Sequence, residues 1–177
     1  MRRLTIVSAM LPLVMATIDV LAAQPLPEGD LPLPHHLAVD PNSEQLVLAA
    51  RRYAAFWNTG NPEYAKAALS TDFIDRTLPQ GRPQGPSGPL AASKAFRESV
   101  PDLRAEVDDL VVSGDRVSVR LHFRGHFNGK FGAIQGQGQA IDFQAFDLYR
   151  VEHGRIAENW HLEDNLTLMQ QLGVITR

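Results

Sequence analysis

RVSVRLHFR, at residues 116–124, alternates apolar and polar side chains without a break. The apolar set is Val117, Val119, Leu121 and Phe123, and the polar set is Ser118, Arg120, His122 and Arg124. A period of two predicts a β-strand with one apolar face. The tight turn SGD precedes this strand and joins it to a strand-like run at 104–112, so the stretch predicts one arm of a long antiparallel hairpin.

The segments on either side extend the hairpin into a sheet and add helices. The expected elements are helices opening near Asp40, Pro62 and Ala92, strands at 141–151 and 155–162, and a closing helix before Gly173. In the first helix, Asp40 is the expected capping acid and Pro41 the first helical residue. Helices followed by an antiparallel meander predict an α+β fold. Its N-terminal helices would pack inside a strongly curved antiparallel sheet and leave an interior pocket.

The composition limits the chemistry that the chain can perform. Its 177 residues suffice for one domain with a packed core. The formal net charge of −3 and the scattered lysines and arginines argue against nucleic acid as a partner. Because cysteine is absent, disulfides, thiolate nucleophiles and sulfur-based zinc sites are excluded. Any catalysis would rest on carboxylates, imidazoles, hydroxyl groups or the backbone.

The N-terminus has the pattern of an export signal. MRR supplies positive charge, LTIVSAMLPLVM an apolar stretch, and VLAAQ a small-residue cleavage site. We therefore expect a signal peptide at residues 1–23, a proline-rich linker or tail at 24–40, and the folded domain at 41–177. The mature protein would be exported, periplasmic or secreted, and no membrane segment would remain after removal of the signal.

Three stretches resemble one protein family. FDLYRVEHGRIAENWHLEDNLTLMQQLGV (146–174), GHFNGKFG (125–132) and AFWNTGNPEYAKAALSTDFID (55–75) are similar to the SnoaL-like polyketide cyclases and ester cyclases of the NTF2-like superfamily. The resemblance covers about residues 45–175 and implies the NTF2-like cone. It also implies an intramolecular aldol closure, in which a carboxylate removes and returns a proton without a metal or a cofactor.

The resemblance assigns roles to two residues near the C-terminus. Asp164 matches the acid/base aspartate of the family, and Trp160 matches an aromatic residue near the cavity. The residue types alone favour another role for Asp164, because an Asp just before LTLM is a typical helix N-cap. On an alternating strand His161 should face away from Trp160, which favours a structural or surface role for His161. The same alternation makes Glu163 a weaker candidate for a functional role.

Further candidate binding residues lie on the hairpin and in a loop. The family's Gly-Thr-His segment appears here as Gly125-His126-Phe127, so that His126 is displaced by one position along the strand. Arg76 and Arg82 flank the loop PQGRPQGPSGP, where either could touch a ligand at the pocket rim. The histidines and carboxylates do not have the spacing of a metal site, and we expect none.

The polar face of strand 116–124 forms a basic stripe of Arg120, His122 and Arg124, which His126 would extend. Asp142 and Asp147 on the neighbouring strand are the expected ion partners of this stripe. Such a face is usually solvated or forms a subunit contact. A homodimer through the sheet face is therefore one expected assembly.

Two functional hypotheses follow. The first is an exported, cofactor-free cyclase, lyase or isomerase that acts on a small apolar carbonyl compound. In it, Asp164 is the general acid/base, and Trp160, His126 and Arg76 contact the substrate. The second is a non-catalytic periplasmic binding or accessory domain that holds a small apolar molecule in the same cone. If Asp164 points into an enclosed pocket, the enzyme is favoured, and if Asp164 only caps the last helix, the binding domain is favoured.

Overall fold

The computed structural model describes residues 26–41 and 43–175. Its helices are α1 (Glu44–Thr59), α2 (Pro62–Ala68), α3 (Ser87–Ser99) and α4 (Asn165–Gln171). Its strands are β1 (His36–Ala38), β2 (Leu69–Asp75), β3 (Arg104–Ser113), β4 (Arg116–Phe127), β5 (Lys130–Phe131), β6 (Ile134–Gln135), β7 (Gln139–Glu152) and β8 (Arg155–Glu163). The signal peptide expected at residues 1–23 lies outside the described residues and stays a prediction. Within the two described ranges, no helix is long and apolar enough to cross a membrane.

A six-stranded sheet forms the body of the domain, in the order β1-β3-β4-β7-β8-β2. Its four central strands are antiparallel, as the sequence predicts. The two edge strands instead run parallel to their neighbours, β1 beside β3 and β2 beside β8. Alternation along a strand specifies its two faces but not its partner, which is why these parallel edges had no signal in the sequence.

The alternation in β4 is confirmed by burial. Val117, Val119 and Leu121 are almost completely buried, whereas their neighbours on the other face reach the surface. The same period of two runs through β7, where every second residue from Ile141 to Val151 is buried. The sheet therefore has one inner face that carries the core and one outer face that meets solvent.

The sheet curves around the helices and leaves space inside. Register shifts interrupt the pairing of β3 with β4 after Val107 and that of β7 with β8 after Arg150. Such irregularities bend a strand and increase its twist. Helix α1 lies against the concave face through a buried stripe that includes Ala50, Tyr53 and Phe56. The predicted α+β architecture, with helices inside a curved sheet, is confirmed.

Residues 26–38, expected to be part of a linker or tail, pack against the domain. Leu31 is only 6% exposed and belongs to the core cluster. Arg51 donates hydrogen bonds to the carbonyl oxygens of Leu31 and Pro32, both at 2.9 Å. Tyr64 donates to Asp30 at 2.9 Å. The side chains that hold the segment belong to α1 and α2. The proline-rich composition of the segment itself therefore could not predict that it packs against the domain.

Helix α1 begins later than the Asp40-Pro41 pair predicts. Its N-cap is Ser43, whose hydroxyl donates to the carbonyl oxygen of Asp40 instead of accepting from the helix. The carboxylate of Asp40 accepts a hydrogen bond from the backbone N–H of Gly114 at 3.0 Å. Asp40 thus ties the helix entry to the turn between β3 and β4, and the predicted cap is wrong.

Candidate active site

A cavity of about 580 Å³ lies between the helices and the inner face of the sheet. Side chains of α1, α3 and α4 form one side, and side chains of β2, β4, β7 and β8 form the other. A volume of this size is typical of a site for a small organic molecule. The pocket predicted from the fold class is therefore present.

Aromatic rings form one wall of this cavity. Phe123 of β4 and Phe143 of β7 stack with their ring centroids 5.1 Å apart. Trp57 of α1 meets the ring of Phe123 edge-on at 6.0 Å, and Phe96 of α3 meets Phe143 in the same way at 6.0 Å. Edge-to-face and offset contacts of this kind hold the rings in place and leave flat faces for a ligand.

Polar side chains form the opposite part of the cavity, which we call the polar floor; its members are Asp75, Asp147, Asn159, His161 and Glu163. Strand pairing brings these residues together from distant parts of the chain. Asp147 of β7 lies directly opposite His161 of β8, and Asp75 of β2 lies opposite Asn159. Because residues two apart on a strand share a face, Asn159, His161 and Glu163 all point inward.

His161 is held between two carboxylates. Its Nδ1 lies 2.7 Å from Glu163 Oε1, and its Nε2 lies 3.2 Å from both oxygens of Asp75. Burial disfavours the charged imidazolium, but the hydrogen bonds and charges of the carboxylates outweigh burial and raise the pKa of His161 to about 9. In return the pKa of Glu163, which burial would raise, is lowered by the hydrogen bond with His161. At neutral pH this ion triad therefore contains an imidazolium between two carboxylates.

Asp147 lies beside this triad in a different environment. It is 6% exposed, and one of its oxygens accepts a hydrogen bond of 2.6 Å from the hydroxyl of Tyr149. Burial raises the pKa of Asp147 to about 7, although the Tyr149 hydrogen bond and the charge of His161 act in the opposite direction. A carboxyl group with this pKa exchanges protons readily near neutral pH.

Two further polar groups of the cavity complete its chemistry. Tyr53 of α1 is 3% exposed, and burial, together with the charge of Asp147, raises the pKa of its hydroxyl so that it stays protonated. Asn159 is also 3% exposed, and its side-chain oxygen has no hydrogen-bond partner among the described residues. A buried amide without a partner is unusual, and a ligand in the cavity would supply one.

The structure places Asp164 outside this cavity. Its carboxylate caps α4, with Oδ1 accepting from the backbone N–H of Thr167 at 3.0 Å and Oδ2 accepting from the Thr167 hydroxyl at 2.7 Å. These hydrogen bonds hold the pKa of the exposed Asp164 below its usual range. Of the two positions left open for Asp164, the structure has the N-cap, and its carboxylate does not line the interior cavity.

The other three predicted contacts also lie away from the cavity. Trp160 is on the outer face of β8, where the guanidinium of Arg116 lies 5.1 Å from its ring centroid. His126 is exposed, and its Nδ1 lies 2.7 Å from Asp102. Arg76 is exposed and paired with Glu158. Trp160 and His126 lie on the outer faces of their strands, and Arg76 lies just after the end of β2. None of the three lines the cavity.

The basic stripe is paired with acids, partly as predicted. His122 Nε2 lies 2.5 Å from Asp142, and Arg124 Nε lies 3.5 Å from the same carboxylate. Asp147, the second expected partner, is five residues further along β7 and therefore faces the interior. That part of the prediction is wrong.

The outer face also carries exposed apolar side chains. Phe146, Leu148 and Leu162 are 55%, 40% and 74% exposed there. The homodimer through this face stays a prediction.

The sequence predicts no metal centre. Among the described residues, no group of three or more histidines, aspartates and glutamates is arranged to hold a metal ion. In the polar floor, both nitrogens of His161 are already engaged by carboxylates.

Replacing Asp164 by Ala is expected to lower the urea midpoint of unfolding, because α4 would lose the acceptor at its first turn. The pKa of Asp164 is lowered in the folded state, so this stabilisation is present above the unfolded pKa and is lost as the pH falls through the folded pKa. Urea titrations at neutral and acid pH measure the effect. Turnover should not change, and an Asp164→Ala variant that folds normally but has no activity would restore Asp164 as the acid/base group.

The fold is shared with proteins of known structure. A protein from Bacillus cereus ATCC 10987, provisionally named a polyketide cyclase, is 43% identical, with 86% of this chain and 99% of that chain covered and a TM-score of 0.76. TsrD from Streptomyces laurentii is 26% identical, with 77% and 100% covered and a TM-score of 0.69. A protein from Catenulispora acidiphila with a ketosteroid isomerase-like fold is 15% identical, with 71% and 92% covered and a TM-score of 0.56. No curated protein matches the chain.

These comparisons define the class of protein first. A curved sheet around helices is the NTF2-like or ketosteroid isomerase-like fold. Within that class, the family model described as SnoaL-like polyketide cyclase matches residues 47–172. The chain belongs to the SnoaL-like polyketide cyclase family, as its sequence motifs predict.

Proposed function

We propose that the protein is a cofactor-free cyclase or isomerase that moves a proton on a small carbonyl compound, with Asp147 as the general acid/base. The observation that carries this proposal is the carboxyl group of Asp147, buried at the polar floor with a pKa near 7. A base works best when its pKa lies close to the working pH. Family membership favours the same reaction class.

The reaction begins with proton removal from carbon. Ionised Asp147 takes a proton from the carbon next to a substrate carbonyl, and the electrons of the C–H bond move to the carbonyl oxygen to form an enolate. In a cyclase the enolate carbon then attacks a second carbonyl, and protonated Asp147 returns its proton to the new alkoxide. In an isomerase the proton returns to another carbon. Both routes leave the enzyme as it began.

The rest of the polar floor stabilises the charge that develops on oxygen. The hydroxyl of Tyr53, which lines the cavity and stays protonated, can donate a hydrogen bond to that oxygen. The unpaired side-chain oxygen of Asn159 can only accept, so it suits a hydroxyl group elsewhere on the substrate. The imidazolium of His161 lies opposite Asp147 and offsets negative charge at the floor. Preorganised donors and charges in a cavity with little water act more strongly than they would in bulk solvent.

Exchange of methyl protons of para-acetylbenzamide in heavy water, followed by proton NMR, tests the proposal without knowledge of the natural substrate. The ring suits the aromatic wall, and the ketone presents exchangeable protons to the polar floor. The protein should accelerate the exchange. If the probe binds but its exchange rate stays at that of buffer, proton removal is not the function of the cavity.

The pH dependence of this exchange should be bell-shaped. Activity should rise as Asp147 ionises, near pH 7, and fall as His161 loses its proton, near pH 9. Because Asp147 and His161 are neighbours, the two apparent pKa values of the pH profile are properties of the pair and not of either residue alone. Rates measured across this range check the prediction, and a rising limb near the ordinary carboxyl pKa would contradict the role of Asp147.

A non-catalytic binding domain is the second candidate. It is favoured by one observation, since Asp164, the residue that matches the family's acid/base aspartate, caps α4 and lies outside the cavity. The two candidates differ in the exchange experiment. A binding domain would hold the probe without exchanging its protons.

A further inference from the structure

Arg82 is a cationic side chain of the cavity that the proposed reaction does not use. It lies in the loop between β2 and α3, is partly buried and lines the cavity. Its backbone N–H donates to the carbonyl oxygen of Pro79 at 3.1 Å, which closes a turn of the loop.

The first turn of α3 is shaped to receive this side chain. A Cβ atom at Gly88 would lie 2.4 Å from the carbonyl oxygen of Pro83 and 3.5 Å from Cγ and Cδ of Arg82. Glycine at this position therefore lets the loop and the aliphatic stem of Arg82 lie close to the helix. The backbone and the aliphatic stem of Arg82 are therefore held in place, and the guanidinium extends from them.

The charge of Arg82 has no partner within the part of the chain that the structure describes: its guanidinium makes neither a hydrogen bond nor an ion pair there. The more a charge is shielded from water, the more an oppositely charged partner stabilises it, and the guanidinium of a cavity-lining arginine becomes more shielded when a ligand fills the cavity. The charges of His161 and Arg82 both act on Glu163 of the polar floor, but Glu163 and Asp75 form their ion pairs with His161 and not with Arg82. Lys130, another cation of the cavity lining, is exposed, so water can solvate it.

We propose that Arg82 binds a carboxylate of the substrate, so that the natural substrate is an acid that also carries the reacting carbonyl. This inference rests on the proposed function, since it assigns the second polar group of the same ligand. A guanidinium binds a carboxylate through two parallel hydrogen bonds, which orients a ligand as well as holding it. The carbonyl end then meets Asp147 and the hydroxyl of Tyr53, and the apolar body lies along the aromatic wall.

A matched pair of probes tests the assignment. The anion para-acetylbenzoate and the neutral para-acetylbenzamide have nearly the same shape and the same ketone. Their Kd values are measured by NMR titration with the wild-type protein, Arg82→Gln and Arg76→Gln. Arg76 is the matched control, because it lies at the start of the same loop but pairs with Glu158 outside the cavity.

The wild-type protein should bind the anion at least about tenfold more tightly than the amide, as expected for a charged hydrogen-bonded pair. Arg82→Gln should abolish this preference by weakening the anion alone, and Arg76→Gln should keep it. Equal affinities in the wild type, or a preference that survives in folded Arg82→Gln, would overturn the assignment. If the amide still exchanges its protons in that case, the proposed function stands and only the carboxylate site is lost. If neither probe binds, both proposals fail.

Discussion

Asp147→Asn should slow the exchange of methyl protons by roughly 10²–10⁴-fold, the usual contribution of a general acid/base group. The amide of Asn has almost the same shape as the carboxyl group, but it is not basic enough to accept a proton from carbon near neutral pH. The hydroxyl of Tyr149 can still donate to the side-chain oxygen, so the local structure should persist. Exchange in heavy water measures the rate, and the Kd of para-acetylbenzamide shows that binding remains.

Asp142→Asn is the matched control, since Asp142 lies on the same strand but on the outer face. Its carboxylate pairs with His122 and has no access to the cavity. This variant should exchange protons at the wild-type rate. If Asp147→Asn exchanges as fast as Asp142→Asn, then Asp147 is not the base, and the role must pass to another group of the polar floor.

The fold could be predicted largely from local patterns. The alternation in 116–124 and the turns SGD and EHGR define the central antiparallel strands, and the structure has strands where these patterns place them. The edge strands were harder to predict. β1 and β2 are positioned by parallel pairing with β3 and β8, which depends on contacts between residues far apart in sequence.

The polar floor had a signal in the sequence that the prediction did not use. Asp147 continues the apolar series Ile141, Phe143, Ala145 on β7, and a carboxylate at such a position must face the interior. Asp142 has the opposite parity, so the two aspartates cannot both pair with the basic stripe. Applying the period of two along the whole of β7 would have placed Asp142 on the outer face and Asp147 on the inner face.

Strand alternation correctly predicted that His161 and Trp160 lie on opposite faces of β8. It did not show which of the two faces the cavity. The family resemblance placed Trp160 near the cavity. In the structure Trp160 lies outside, and His161 points inward because Asp75 and Glu163 offset its charge. Asp75 comes from a parallel edge strand whose pairing was unknown, so the ion triad could not be assembled from the sequence.

His161→Gln should lower the free energy of unfolding by about 3–5 kcal/mol at neutral pH, the usual consequence of removing one member of a buried ion pair. Asp75, which is 6% exposed, would be left buried without the cation that it pairs with. Urea titration measures the loss. His126→Gln is the control, because the His126–Asp102 pair is exposed, and its stability should remain close to that of the wild type.

The pH dependence distinguishes loss of the ion triad from simple loss of packing. The folded-state pKa of His161 is raised from 6.5 to about 9, so its stabilisation is complete below pH 6.5 and is lost as the pH rises through 9. The difference between the wild type and His161→Gln should therefore shrink over this range. Without the imidazolium charge, the pKa of Asp147 should also rise, which moves the rising limb of the exchange profile to higher pH.

A double variant shows whether the lost stability comes from the unpaired carboxylate. In Asp75→Asn with His161→Gln, the charge at position 75 is removed and the two amides can hydrogen bond with each other. The double variant should therefore be more stable than the sum of the two single losses predicts. Additive losses, together with a stability difference that does not change between neutral and alkaline pH, would mean that His161 acts through packing alone. The positive charge assigned to the polar floor would then be absent, and the enolate would be stabilised by the hydroxyl of Tyr53 without it.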